Sequence, residues 1–255
     1  MTATLERNFR ETQEAIATEA KRAGRQPGEI MLLAVTKSVG PQRALELAQL
    51  GQTQLGENRL PSLLAKREFF ETRGVQAQWH FIGQIQRNKA RKVILNSDVL
   101  HSVDTLQLIE TLDRIAGEES RNVPIYLEVK LTNEELKHGF DPQDLSEAIR
   151  QAAAASNLEL RGLMTMAQQP DPNGDVDDQY PEFRTLAKLA AEIEGDPQRR
   201  NAFANERVEL SMGMSGDYPA AIAAGSHVVR IGSALFAGLD SQDDQSGTRQ
   251  SGTSQ

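Results

Sequence analysis

A chain of 255 residues is long enough for one large α/β domain with its own core, and 28 Lys and Arg against 36 Asp and Glu give it a formal net charge of -8. Such a surface repels phosphate backbones on average, and no Lys/Arg block alternates with aromatics, so nucleic acid is excluded as a partner. The absence of cysteine rules out disulfides and thiolate metal sites and makes the cytoplasm the expected compartment.

The N-terminal stretch MTATLERNFR is polar and charged and lacks the apolar core of a signal peptide; no apolar run anywhere reaches the ~20 residues of a membrane span. Leu5, Phe9, Thr12 and Ile16 recur at spacings of three and four, which predicts an amphipathic helix ending near Gly24. Eight short apolar runs follow, at 30–35, 53–55, 79–82, 99–103, 125–129, 160–164, 208–210 and 228–231. They are Val/Ile/Leu-rich and read as strands. The segments between them carry helix signals: Pro41 in a first turn with Gly51 as terminator, Asp104 ahead of 105–115, and Asp141-Pro142 ahead of 145–155. The rhythm predicts an α/β protein, a single (β/α)8 TIM-type barrel with an extra N-terminal helix. A doubly wound sheet is the alternative, but no early Gly-rich dinucleotide loop favours it. The N-terminal helix is expected to cover the barrel where an eighth helix would otherwise lie. The Pro-, Asp-, Asn- and Gly-rich stretch 168–178 reads as a mobile loop, and DSQDDQSGTRQSGTSQ at 240–255 as a disordered tail, which leaves 1–239 as the barrel domain.

Functional groups of such a barrel sit at the carboxyl ends of its strands. Lys37 follows the first strand in IMLLAVTKS. Held there by apolar walls it would lose solvation and become a nucleophile toward aldehydes; an exposed lysine paired with a carboxylate is the plainer reading. The second strand runs into GENR, where Glu57, Asn58 and Arg59 open a helix. In WHFIGQIQRNK, alternation sends Trp79 and His80 to opposite faces, and His80 reads first as a satisfied core histidine. The four histidines, His80, His101, His138 and His227, show no close ligand spacing, so no metal is expected. The densest signal is ELSMGMSGDYPAAIAAGSHVVRIGSALFAG. Two Ser/Gly turns at the last two strands either bind a phosphate or simply turn tightly: Ser211, Ser215 and Gly216 in one, Gly232 and Ser233 in the other. Arg230 lies on the last apolar strand, where a charge needs a partner or a ligand.

Taken in order, LLAVTKSV, LGENR, WHFIGQIQRNK, HSVD, KHGF, LRGLMTM and the long C-terminal segment resemble the pyridoxal-phosphate homeostasis protein family, over nearly all of 5–238. Several long motifs in the same order are far more specific than any one of them. The resemblance implies a barrel like the N-terminal domain of alanine racemase, with pyridoxal 5′-phosphate (PLP) held as a Schiff base on Lys37. It implies that Ser215 and the N–H groups of Gly232 and Ser233 bind the phosphate, that Arg230 faces the pyridine nitrogen, and that Asn58, His80 and Met164 line the pocket. Ser211 joins these as a candidate binding residue. Lys130 stands where many relatives carry asparagine. A cation at the ring nitrogen weakens the ring as an electron sink, and the chain has no room for the second domain that supplies alanine racemases with an opposing base. The expectation is therefore a non-enzymatic holder that buffers or delivers PLP, acting as a monomer and touching PLP-dependent apoenzymes transiently. A PLP-dependent amino-acid racemase or a Schiff-base aldolase is the alternative.

Overall fold

The structure is a computed structural model that describes residues 3–132, 138–168 and 179–239. Eight strands alternate with helices: α1 (Ala3–Arg22), β1 (Met31–Val35), α2 (Pro41–Gln49), β2 (Gln54–Glu57), α3 (Leu60–Glu71), β3 (Gln78–Phe81), α4 (Ala90–Asn96), β4 (Val99–Val103), α5 (Leu106–Glu118) and β5 (Val123–Glu128). The second half continues with α6 (Leu145–Ala154), β6 (Leu158–Met164), α7 (Pro181–Glu194), the single turn α8 (Pro197–Arg200), β7 (Glu209–Met214), α9 (Tyr218–Ala223) and β8 (Val228–Ile231). All strand pairs are parallel and β8 pairs back onto β1, so the sheet closes into a (β/α)8 barrel. The expected 168–178 loop, from 169 on, and the 240–255 tail lie outside the described residues.

The strands form where apolar runs can be buried on both faces, by helices outside and by the opposite strands inside. Leu33, Val99, Tyr126, Met164 and Val228 make a small cluster of their own, while a larger one joins the strands to the helices. Trp79 shows the alternation. It leaves β3 outward and meets Phe70 of α3 edge-on, with ring centroids 5.1 Å apart, while its neighbour His80 is buried. Helix α1 buries Leu5, Phe9, Ile16 and Ala20 and packs against α9 and α2. It therefore fills the gap left after β8, where the chain makes only a short turn, and Asn8 Nδ2 ties it there by donating to the carbonyls of Leu235 at 3.1 Å and Ala237 at 2.9 Å.

β7 runs well past the 208–210 expected from its apolar residues. Its later part, Ser211 to Met214, resembles a turn in composition, yet Gly213 adopts φ 96° within it, and a Cβ there would stand 2.6 Å from the Ala221 Cβ. Only glycine meets both demands, and the β7–β8 register shifts at this point. The shift carries the residues after Gly213 over the barrel mouth. No helix among the described residues is long and apolar enough to cross a membrane.

Candidate functional site

The carboxyl end of β1 is clamped from behind. Thr36 is buried; its hydroxyl donates to Glu57 Oε1 at 2.6 Å and its carbonyl accepts from Lys66 Nζ at 2.8 Å. Lys66 also forms an ion pair with Glu57, with the two side chains 1% and 0% exposed. Removing one member of such a pair typically costs about 3–5 kcal/mol, because the other is left charged and buried. The clamp fixes the backbone immediately before Lys37 and turns that side chain into a cavity of about 510 Å3 at the barrel mouth, within the range of small-molecule sites. Lys37 is exposed there, so the apolar enclosure expected around it is not what the fold provides.

The same cavity is lined by Asn58, Met164, Ser215, Gly216, Arg230, Gly232 and Ser233, together with Val35, Ile82, Gly83, Gln84, Met166 and Met214. Each group is delivered by a local device. Asn58 is admitted by Gly83, where a Cβ would collide with the Asn58 carbonyl oxygen at 2.1 Å. The loop after β7 is closed by Asp217, whose carboxylate accepts the Met214 N–H while the Asp217 N–H donates to the Met214 carbonyl at 3.1 Å. That turn presents Ser215, whose Oγ accepts from the Gly232 N–H at 3.2 Å. Gly232 packs closely on β1, 3.0 Å separating a would-be Cβ from the Val35 oxygen, whereas Gly216 has open space about it. A hydroxyl and the backbone of two Ser/Gly turns thus converge on one wall.

His80 and Ser211 do not line the cavity. They lie beneath it in the barrel interior, so the direct contact expected of them is replaced by a connection through Arg230. Arg230 donates from NH1 to the Ser211 carbonyl at 2.7 Å and the Ser211 Oγ at 3.0 Å, and from NH2 to the Thr165 carbonyl at 3.0 Å. Ser211 Oγ lies 2.9 Å from His101 Nδ1, His101 Nε2 lies 2.9 Å from His80 Nδ1, and His80 Nε2 lies 2.7 Å from Gln54 Oε1. The sequence marks His101 only as one of four histidines without ligand spacing and as part of HSVD, and it does not mark Lys66. Lys66 shares a helix face with buried Leu63 and Phe70, a lysine on an apolar stripe being the available signal.

Burial dominates the electrostatics below the cavity. It holds His80 down at about 3 and His101 well below the usual imidazole range, the latter also through His80 and Arg230. It lowers Arg230 to about 10 against the attraction of Asp217 and Glu128. Glu128, at the end of β5, is pushed up to about 7 by burial and by Asp104. Asp104 is itself raised by burial while His138 stands 3.7 Å away. Among the described residues, no group of three or more His, Cys, Asp or Glu is placed to hold a metal ion.

The model of the family "Alanine racemase, N-terminal domain" matches residues 4–240. The pyridoxal phosphate homeostasis protein of Escherichia coli K12 is 34% identical over 234 residues, which span 91% of this chain and 96% of that one. PipY of Synechococcus elongatus, in its structure with PLP bound, is 35% identical with a TM-score of 0.72, covering 87% of this chain and 99% of PipY. An alanine racemase of Streptomyces lavendulae shares the fold, with a TM-score of 0.66 at 18% identity over 91% of this chain and 56% of the racemase.

Glu128 makes stability depend on pH. With its folded value near 7 and an unperturbed value of 4.5, the native state holds the proton more tightly. Its contribution is complete below about pH 4.5 and is lost as the pH rises through 7. Glu128→Gln is expected to remove this loss. Urea unfolding at pH 5 and pH 8 should show the variant gaining on the native chain by on the order of 2–3 kcal/mol at the higher pH; an equal difference at both pH values would contradict the assignment.

Proposed function

The chain belongs to the alanine racemase N-terminal domain family, among relatives named pyridoxal phosphate homeostasis proteins, and from that premise we propose that it holds PLP on Lys37 and buffers or delivers it. One observation carries the reading. Lys37, the Ser215 hydroxyl, the Gly232-Ser233 turn and Arg230 come from opposite ends of the sequence and line a single cavity. The residues fit the molecule: an amine for its aldehyde, a wall of hydroxyl and backbone N–H for its phosphate, and a methionine and valine surface for its ring. When bound, PLP would supply an aldehyde that the Lys37 amine could hold as a C=N linkage, with release of water. The chain's part is to present that amine from a clamped strand end, to hold the phosphate through Ser215, Gly232 and Ser233, and to set Arg230 toward the ring nitrogen. Asn58 and Met164 would line the ring's site, and Ser211 and His80 would act from below it.

Two features favour a holder over a catalyst. Lys37 and Arg230 are the only ionisable groups lining the cavity among the described residues, so among those residues no second acid or base lines it. Arg230, a cation, disfavours protonation of the ring nitrogen, and with it the electron withdrawal that carbanion chemistry needs. In this reading PLP is the small-molecule ligand, PLP-dependent apoenzymes of the cytoplasm are the recipients, and 240–255 is a tail that binding does not need.

Borohydride reduction of the loaded protein followed by peptide mass spectrometry should place the label on Lys37, and equally in a chain ending at Leu239. A label mainly on Lys89 or Lys137 would refute the site. Ser215→Ala should weaken PLP by about 1.5–3 kcal/mol, one charge-assisted hydrogen bond, with little effect on pyridoxal; equal losses for both would remove the phosphate assignment.

Catalysis is tested separately, by NMR of α-deuterium exchange into alanine and serine. Exchange far slower than about 1 per second is expected; a rate at or above that value is ordinary enzyme turnover and would contradict the holder reading.

A further inference from the structure

A buried arginine is usually held by a carboxylate, which fixes it and largely cancels its charge. Arg230 is held otherwise. Its three hydrogen bonds go to two backbone carbonyls and one hydroxyl; Asp217 and Glu128 act on it through space without a hydrogen bond. NH1 spends both protons and NH2 one, leaving two of the five guanidinium N–H groups outside these bonds.

The hydroxyl in that set is the first link of a chain across the barrel interior, and the Gln54 side-chain oxygen at its far end sets its direction for neutral rings. A guanidinium only donates. With both rings neutral, His80 donates from Nε2 to Gln54 Oε1 and accepts at Nδ1 from His101 Nε2, His101 Nδ1 accepts the Ser211 hydroxyl proton, and Ser211 Oγ accepts from Arg230. Every member accepts from the Arg230 side and donates away from it. Bonds aligned in this way strengthen one another, because a hydroxyl that gives its proton away becomes a better acceptor.

We propose that His101, backed by His80, is a positioning residue for Arg230: the imidazole pair polarises Ser211, so that the guanidinium is fixed by neutral acceptors and keeps its charge for the ring nitrogen of bound PLP. The inference rests on the cofactor reading above for its consequence, not for its geometry. The groups facing the two rings are compatible with neutral imidazoles. Tyr126 of β5 stacks on His101 at 4.3 Å and spends its hydroxyl on Glu209. Ser211 comes from β7, Arg230 from β8 and Gln54 from β2, and among the described residues no carboxylate bonds to either imidazole. A carboxylate or an imidazolium in the same place would change the charge beneath the cavity; two neutral rings change only its orientation.

The test has two readings. In the full chain without PLP, labelled with 15N-histidine, both rings should be neutral at neutral pH with the proton on Nε2; a proton on Nδ1 of either ring reverses the chain and overturns the proposal. In the full chain loaded with PLP labelled at the ring nitrogen, that nitrogen should be unprotonated in the native protein. His101→Leu should raise the pH of half-protonation by at least about one unit, a tenfold change, since the cation is no longer held in place. His101→Gln, whose amide can accept from Ser211 and donate to His80, should restore the native value. An unshifted leucine variant, or a glutamine variant that behaves like it, contradicts the positioning role. Should the leucine variant fail to fold, Ser211→Ala breaks the chain one link nearer Arg230 and carries the same expectation. The proton positions are read before PLP is added, so a chain that takes up no PLP on Lys37 refutes the cofactor reading, and a reversed chain refutes this one.

Discussion

Closure of the barrel between β1 and β8 is the constraint on which the site depends. The pairing sets Leu33 opposite Arg230 and Ala34 opposite Ile231, so Lys37, just past β1, must stand beside Gly232 and Ser233, just past β8. An amine from the start of the chain and a backbone turn from its end are thereby held as neighbours by strand hydrogen bonds. Helix α1 protects the same seam from outside, packing where no helix follows β8 among the described residues and bonding through Asn8 to the carbonyls of Leu235 and Ala237. The seam is thus structural and functional at once.

What lies under the cavity is more polar than the interior of such a barrel needs to be. Branched aliphatic residues ordinarily fill those layers; here Arg230, Ser211, His101, His80 and Tyr126 share them with Leu33, Val99, Met164 and Val228. Each polar group costs desolvation unless it is bonded; the chain from Arg230 to Gln54 bonds Ser211, His101 and His80 in sequence, and Tyr126 bonds Glu209. The arrangement sacrifices some burial of apolar surface for a cation of fixed direction at the cavity floor. On the opposite side of β1 the buried Lys66–Glu57 pair does the corresponding work for the backbone before Lys37. One polar cluster orients the amine and the other orients the cation.

Much of this was legible in the sequence, for physical reasons that also mark where reading stopped. Most strands are legible because parallel barrel strands are buried on both faces and so appear as apolar runs, while β2, which reads Gln-Leu-Gly-Glu, carries that signal only weakly. β7 was cut short because Ser211, Gly213 and Ser215 have turn-like composition, and only the contact with Ala221 reveals Gly213 as a strand residue with positive φ. Lys37 and Arg230 could be singled out from their places at strand ends and on an apolar strand. The partner of Arg230 could not: His101 and Ser211 meet across 110 positions, and no spacing rule reaches that far. The family resemblance puts His80 on the cavity itself; alternation sends it and Trp79 to opposite faces but says neither which of them points inward nor at what depth.

A crystal structure of the PLP-loaded protein tests the account most directly. It should show density continuous from Lys37 Nζ, the phosphate within hydrogen-bond distance of Ser215 Oγ and the N–H groups of Gly232 and Ser233, and the Arg230 guanidinium directed at the ring nitrogen with its bonds to Ser211 kept. PLP attached to another lysine, or a ring nitrogen bonded to a carboxylate such as Glu128 in place of Arg230, would contradict it.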